Sequence, residues 1–273
     1  MVNITIDTGT TELLCHIEDH VGVITLNKPE KKNALGDVLT PALRRTLLLL
    51  ETDPRAGCIL ITGAGNAFCS GGDVSGMSVE SKPQHKQERI AELLHKQMTL
   101  TQRLHHLNKV TIAALPGAAA GAGLSIALAC DLRIASENAF ITTAFRNIGL
   151  SGDYGASWFL PRLIGMGKAK ELFYRSARVN AIEAEHLGIF NCVFPQTSFR
   201  ADMMEYAKQI ANGPTNALSR MKLNLNASLD QSLSESLALE AKHLIDSAGT
   251  PESKEAISAF MQKRQPQFRH TAE

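Results

Sequence analysis

The chain has 273 residues and a mass of 29.6 kDa, enough for one or two domains, and its 44% apolar content rules out a disordered or fibrous protein. Twenty-eight Lys and Arg against 27 Asp and Glu leave a formal +1, so no basic excess recommends nucleic acid or an anionic membrane as a partner. Five cysteines (Cys15, Cys58, Cys69, Cys130, Cys192) are odd in number and form no C-x-x-C pair, which points to free thiols in a reducing, cytoplasmic compartment. The opening Met1-Val2-Asn3-Ile4-Thr5 has neither the basic nor the apolar segment of a signal peptide. In chain order, the β-branched run Val21–Leu26 reads as a strand that ends at Asn27-Lys28-Pro29. Asp37 is expected to cap a helix running to about Glu51, with Pro41 in its first turn and Asp53-Pro54 closing it. Residues 58–62 form a second strand, followed by a loop over 63–72, a polar stretch over 78–85 and a helix of about twenty residues from Gln87.

Residues 110–130 carry no charge and are long enough to span a bilayer, but Pro116, Gly117, Gly121 and Gly123 interrupt them. A buried strand over Val110–Leu115, a glycine-rich turn and a buried helix fit better. Residues 131–135 and 139–143 are two further short strands. After about residue 166 the strand-like runs fade, apart from Cys192–Phe194, and residues 218–245 and 252–263 have helical spacing. The expectation is an α/β core over residues 1–200, mostly parallel, followed by a helical region over 201–273.

Several familiar motifs fail on spacing. Gly121-x-Gly123 is followed by Ile126, and Gly63-x-Gly65 by Phe68, where a dinucleotide fingerprint needs glycine. Gly165-Met-Gly-Lys168 lacks the P-loop's upstream and downstream partners. Gly123-Leu-Ser125-Ile-Ala127 lacks the last glycine of a nucleophile elbow, which leaves Ser125 as a helix serine facing a pocket. The nine histidines include the pair His105-His106 but no H-E-x-x-H, and no metal site is expected. What holds is a pair of glycine-rich turns, 67–73 and 116–123, each leading from a strand towards a helix. Backbone N–H groups at a helix start are unpaired and lie at the positive end of the dipole, so two such turns side by side could form a two-donor anion hole. The same glycines could equally serve tight packing alone.

In combination these segments resemble the enoyl-CoA hydratase/isomerase (crotonase) superfamily, over about residues 17–268. The residues that carry the resemblance are NKPEKKNAL (27–35), ITGAGNAFCSGGD (61–73), PGAAAGAGLSIALACDLRIA (116–135), IGLSGDYGASWFLPRLIG (148–165), EAEHLGIFNCVFP (183–195) and SAFMQKR (258–264). The resemblance implies the ClpP/crotonase fold: repeated ββα units holding an acyl-CoA thioester between them, with a helical C-terminal trimerisation region that gives homotrimers or hexamers. Carried over, the oxyanion hole would be the backbone N–H groups of Gly72 and Ala122, polarising the thioester carbonyl. Coenzyme A, present only as part of the substrate, would lie along Asn33 and Ala34 and the backbone of Ser70, Gly71 and Gly72. Lys28 would sit near its phosphates, and Phe260 and Lys263 would reach it across a subunit boundary.

The chain departs from the pattern at the side chains that do the chemistry. Where hydratases of the family carry two glutamates, it has Ser125 and Phe145. Serine is a poor base near neutral pH and phenylalanine transfers no proton. A carboxylate appears instead at Asp153, which resembles the aspartate of double-bond isomerases in the family. An apolar pocket would raise its pKa from about 3.9 and suit it to taking a carbon-bound proton. It could also serve as an N-cap for a helix starting near residue 154. Three readings follow: an isomerase with Asp153 as base, a hydratase without the glutamate pair, and a crotonase-fold protein that binds CoA ligands without turnover. Trp158 and Phe159 could line the acyl pocket, but core packing is the preferred reading for both.

Overall fold

The computed structural model describes residues 3–73 and 86–269. The polar stretch 78–85 lies outside them. A first hairpin, β1 (Ile4–Ile6) and β2 (Leu13–Glu18), pairs antiparallel with β3 (Val21–Leu26). The chain then crosses over through α1 (Leu39–Thr52) to β4 (Cys58–Gly63), parallel to β3. Every residue of β4 is buried, as the centre of a sheet covered on both faces requires.

From β4 onward one pattern recurs. A strand in the large sheet is followed by a short strand in a second sheet and then by a helix: β4, β5 (Ala67–Cys69) and α2 (Lys86–Gln97); β6 (Val110–Leu115), β7 (Ala118–Ala120) and α4 (Ala122–Ala129); β8 (Leu132–Ser136), β9 (Phe140–Thr142) and α5 (Ala156–Arg175). Between the first two units, α2 runs through a π-helical turn at Met98–Gln102 into α3 (Arg103–His106). These are the ββα repeats implied by the resemblance. The outcome is a seven-stranded sheet, β1-β2-β3-β4-β6-β8-β11, and a four-stranded one, β10-β9-β7-β5, completed by β10 (Val179–Asn180), α6 (Ala181–His186) and β11 (Cys192–Phe194). The main core lies between the sheets and beneath α1, α4 and α5; a second cluster packs α7 (Phe199–Ala211) on the other face of the large sheet.

The uncharged run 110–130 is thus β6, β7 and α4, and no helix among the described residues is long and apolar enough to cross a membrane. The expected Asp37 cap does not form. Leu35 is drawn into pairing with Gly71 and Asp73, and the chain enters α1 later, with Val38 at the N-cap and no side-chain cap bond. The segment 218–245 divides into α8 (Thr215–Ala227) and α9 (Leu233–Ala248), because Ser232 and Glu235 form a capping box that starts a new helix. α10 (Pro251–Met261) follows. α8 is tied to the core by Lys222, whose buried ammonium donates to the Leu104 and Lys109 carbonyls and, at 2.8 Å, to Asp131. The same Asp131 oxygen accepts from the N–H and hydroxyl of Thr111.

Candidate active site

Two loops of the small sheet meet at the site. After β5 the chain pairs with residues 32–35: Ser70 N–H donates to Lys32, Leu35 N–H to Gly71 and Asp73 N–H to Leu35, all within 3.0 Å. Gly72 bridges Leu35 in this short parallel stretch, but its own N–H has no acceptor among the described residues. After β7, Gly121 adopts φ 51° and ψ −126°, a conformation suited to glycine alone, and α4 begins at Ala122. The Ala122 N–H, in the first turn of that helix, is also without an acceptor among the described residues.

β5 and β7 are parallel neighbours, with Cys69 opposite Ala119, so both loops leave the same sheet edge. Gly123 then seats α4 directly on the first loop: a Cβ there would stand 2.3 Å from the Cys69 carbonyl oxygen. A Cβ on Gly71 would stand 3.5 Å from the Ala122 nitrogen. Gly71 therefore lies against the start of α4, and Gly72, the next residue, and Ala122 each carry a backbone N–H with no acceptor among the described residues. That arrangement can hold a developing oxyanion.

Asp153 is brought to the same place from α5's side. The buried Ser125 hydroxyl, one turn into α4, lies 3.2 Å from the Gly121 carbonyl and 3.0 Å from the Asp153 carbonyl, and so links the loop to the helix. On the other flank the Gln97 side chain accepts from Tyr154 N–H at 2.7 Å. Tyr154 is held at φ 51°, a left-handed strain that costs a bulky residue about 1–3 kcal/mol and persists only where surroundings enforce it. The Phe145 ring packs beside both Gly121 and Gly152 and stacks on Phe173 at 6.1 Å, forming an apolar wall under the loop. One Asp153 carboxylate oxygen is buried with no hydrogen-bond partner among the described residues, and burial pushes its pKa up to about 6. The helix-cap reading of Asp153 fails, since α5 has Gly155 at its N-cap and no side-chain cap bond. Gln97 was not foreseen; nothing in the sequence around it separates it from the other polar residues of α2.

The remaining predicted residues are placed less directly. Asn33 is wholly buried and its side chain is committed: Oδ1 accepts from Lys28 N–H, and Nδ2 donates to the Ala64 and Ala67 carbonyls. It shapes the first loop, leaving only backbone for a ligand there. Ala34 is buried beside it, and Ser70 Oγ donates to the Lys31 carbonyl. The Lys28 ammonium turns to Glu12 at 3.4 Å. Phe260 and Lys263 stand on and just beyond α10, with Phe260 81% exposed. Trp158 and Phe159 are half-buried and meet His105 edge-on at 5.0 and 5.6 Å. With α2, α3 and α8 they line an apolar cavity of about 680 Å³, which borders the Asp153 loop through Gln97 and Gly155.

The family model for enoyl-CoA hydratase/isomerase matches residues 16–271. This chain belongs to the enoyl-CoA hydratase/isomerase family. It is 33% identical to the 1,2-epoxyphenylacetyl-CoA isomerase of Escherichia coli, over 94% of this chain and 97% of that protein. It is 29% identical to 4-chlorobenzoyl coenzyme A dehalogenase-1 of an Arthrobacter species, over 90% of this chain and 88% of that protein. The crystal structure of an enoyl-CoA hydratase from a Polaromonas species superposes with a TM-score of 0.87 at 32% identity, covering 94% of this chain and 99% of the other. The fold is the crotonase fold, and the protein is an acyl-CoA enzyme of the enoyl-CoA hydratase/isomerase family. These relatives bear the names of three different reactions, so the reaction of this member must be argued from its own side chains.

Proposed function

We propose that the protein moves a carbon–carbon double bond in an enoyl-CoA thioester, with Asp153 as its single base. The observation that carries this reading is the buried Asp153 Oδ1, unpartnered among the described residues, on a residue whose backbone carbonyl accepts from Ser125 in the helix that starts at Ala122. The Gly72 and Ala122 N–H groups receive the thioester oxygen and acidify the adjacent carbon. Asp153 takes a proton from C2 of a 3-enoyl thioester, and the electrons pass into the carbonyl as an enolate. The enolate collapses, the C3=C4 bond becomes C2=C3, and Asp153 returns the proton to C4. One carboxyl group suffices, because the proton it removes is the proton it gives back. Hydration would also require a positioned water, and Ser125 and Phe145 stand where the family's hydratases hold it with glutamates.

In this reading the backbone of residues 33–34 and 70–72 follows the pantetheine chain, and a neighbouring subunit supplies Phe260 and Lys263. Residues 201–273 act as the oligomerisation region of a trimer or hexamer. The chemistry rests on backbone donors and one carboxylate, so EDTA should leave turnover unchanged. The test is conversion of 3-hexenoyl-CoA to the 2-enoyl product, followed by the conjugated thioester's absorbance, in wild type and Asp153→Asn. A loss of about a hundredfold or more, the ordinary contribution of a general base, is expected. Fast hydration of crotonyl-CoA that survives Asp153→Asn would overturn the proposal in favour of a hydratase. Binding of acyl-CoA with no turnover of either substrate would make the protein a binder.

A further inference from the structure

Arg44 is a charged group that the proposed chemistry does not use. It lies on α1, and its guanidinium stands beside the Tyr154 hydroxyl, next in the chain to Asp153. Its Nε and Nη2 atoms are buried, and neither has a hydrogen-bond partner among the described residues. Those two atoms form one edge of the guanidinium, with parallel N–H bonds spaced to match the two oxygens of a carboxylate. Arg55 shows the match elsewhere in this chain. There Nε donates to Asp53 Oδ1 at 2.9 Å and Nη2 donates to Oδ2 at 2.5 Å. Arginine is almost never buried without such a counterpart, since a desolvated cation with unmet donors is costly. Asp153, the carboxylate next in the chain to Tyr154, is not that counterpart: its raised pKa has burial as its cause, and its Oδ1 is itself unpartnered among the described residues. Lys96, the other cation near Tyr154, is already paired with Glu92.

We propose that the Nε/Nη2 edge of Arg44, beside the Asp153–Tyr154 loop, receives the distal carboxylate of a dicarboxylic acyl-CoA. The inference rests on the acyl-CoA site proposed above and specifies the substrate class it takes. The thioester end of such a substrate lies in the hole formed by Gly72 and Ala122, and its far end carries a negative charge to the guanidinium. A hydrocarbon tail would leave the two donors unmet and would favour the apolar cavity past Gln97 and Gly155 instead.

Two matched pairs of thioesters test this. Adipyl-CoA and hexanoyl-CoA have equal chain length, differ only in the terminal carboxylate and are not turned over by double-bond migration. Calorimetry should show adipyl-CoA binding more tightly by about thirtyfold or more, the scale of a buried ion pair. Arg44→Met should erase that preference while hexanoyl-CoA binding stays within about threefold. Arg44→Lys keeps the charge without the fork and should recover only part of it. The reactive pair, 3-hexenedioyl-CoA and 3-hexenoyl-CoA, should show the same preference in kcat/KM. Equal or weaker binding of adipyl-CoA in wild type would overturn the inference, as would an Arg44→Met variant that weakens both ligands alike, which would mark a structural role through Tyr154. Because the binding arm needs no turnover, failure of the isomerase proposal would appear separately, as activity that survives Asp153→Asn.

Discussion

Asp153 is an acid whose surroundings oppose its own charge. With its pKa lifted to about 6 by burial, the ionised form that takes a proton predominates only above that value. The rate profile should therefore show kcat/KM falling about tenfold per pH unit below pH 6 and levelling off above it. The same shift bears on folding, with the opposite sign to a salt-bridged carboxylate. The folded protein holds this proton more tightly than the unfolded chain, so the residue costs stability above about pH 4–6 and nothing below. Asp153→Asn should accordingly melt higher than wild type near pH 8, with the gain vanishing near pH 4, even as it loses activity. A lower melting temperature at both pH values would show that the carboxylate supports the loop by a contact of its own. The neighbouring donors act through backbone, and their variants must reach the backbone. Gly72→Pro removes one N–H, and Ala122→Val crowds the place proposed for the thioester oxygen. Gly72→Pro should lower kcat/KM by about a hundredfold or more, as loss of one oxyanion donor does, and Ala122→Val, which keeps its N–H, should lower it by crowding the bound thioester.

At the scale of elements, the site depends on α4 resting directly on the β5 loop. Gly123→Ala places a methyl group 2.3 Å from the Cys69 carbonyl oxygen, where backbone must move. A loss of about 1–3 kcal/mol is expected in urea unfolding, with activity falling further than stability because the hole widens. The sequence shows the long elements of this arrangement plainly. The β-branched runs of β3, β4 and β6 and the two glycine turns stand out by composition. The strands β5, β7 and β10 do not, since two or three residues such as Ala118–Ala120 owe their strand state to neighbours rather than to propensity. β2 is missed for a related reason: Leu13–Glu18 alternates in burial but is not rich in β-branched residues. Asp153 could be read as base or cap from its position alone, and the cap reading is removed by where α5 begins, with Gly155 at its N-cap and no side-chain cap bond. Arg44 and Gln97 carry no local signal at all, because what marks them is the partner each has or lacks across the fold.

Over the whole molecule, apolar side chains gather on the exposed faces of the C-terminal helices: Leu233, Leu244, Ile245, Phe260 and Met261 are each at least 70% exposed. A patch of this kind on a single chain marks an interaction surface. Light scattering should give a mass of three or six chains, and Leu244→Glu with Ile245→Glu should shift it towards about 30 kDa, since a charge buried in such an interface is costly. Loss of CoA binding in that dissociated variant would support the contribution of Phe260 and Lys263 from a neighbouring subunit. Lys222 sets how the tail and the core come apart. Its buried ammonium is answered, among the described residues, by Asp131 and by carbonyls outside α8, so the helix cannot leave without stranding both charges in each other's absence. Amide hydrogens of α8 should then exchange in the same cooperative unit as those of β6 and β8, whereas in Lys222→Met the helix should open on its own, ahead of global unfolding.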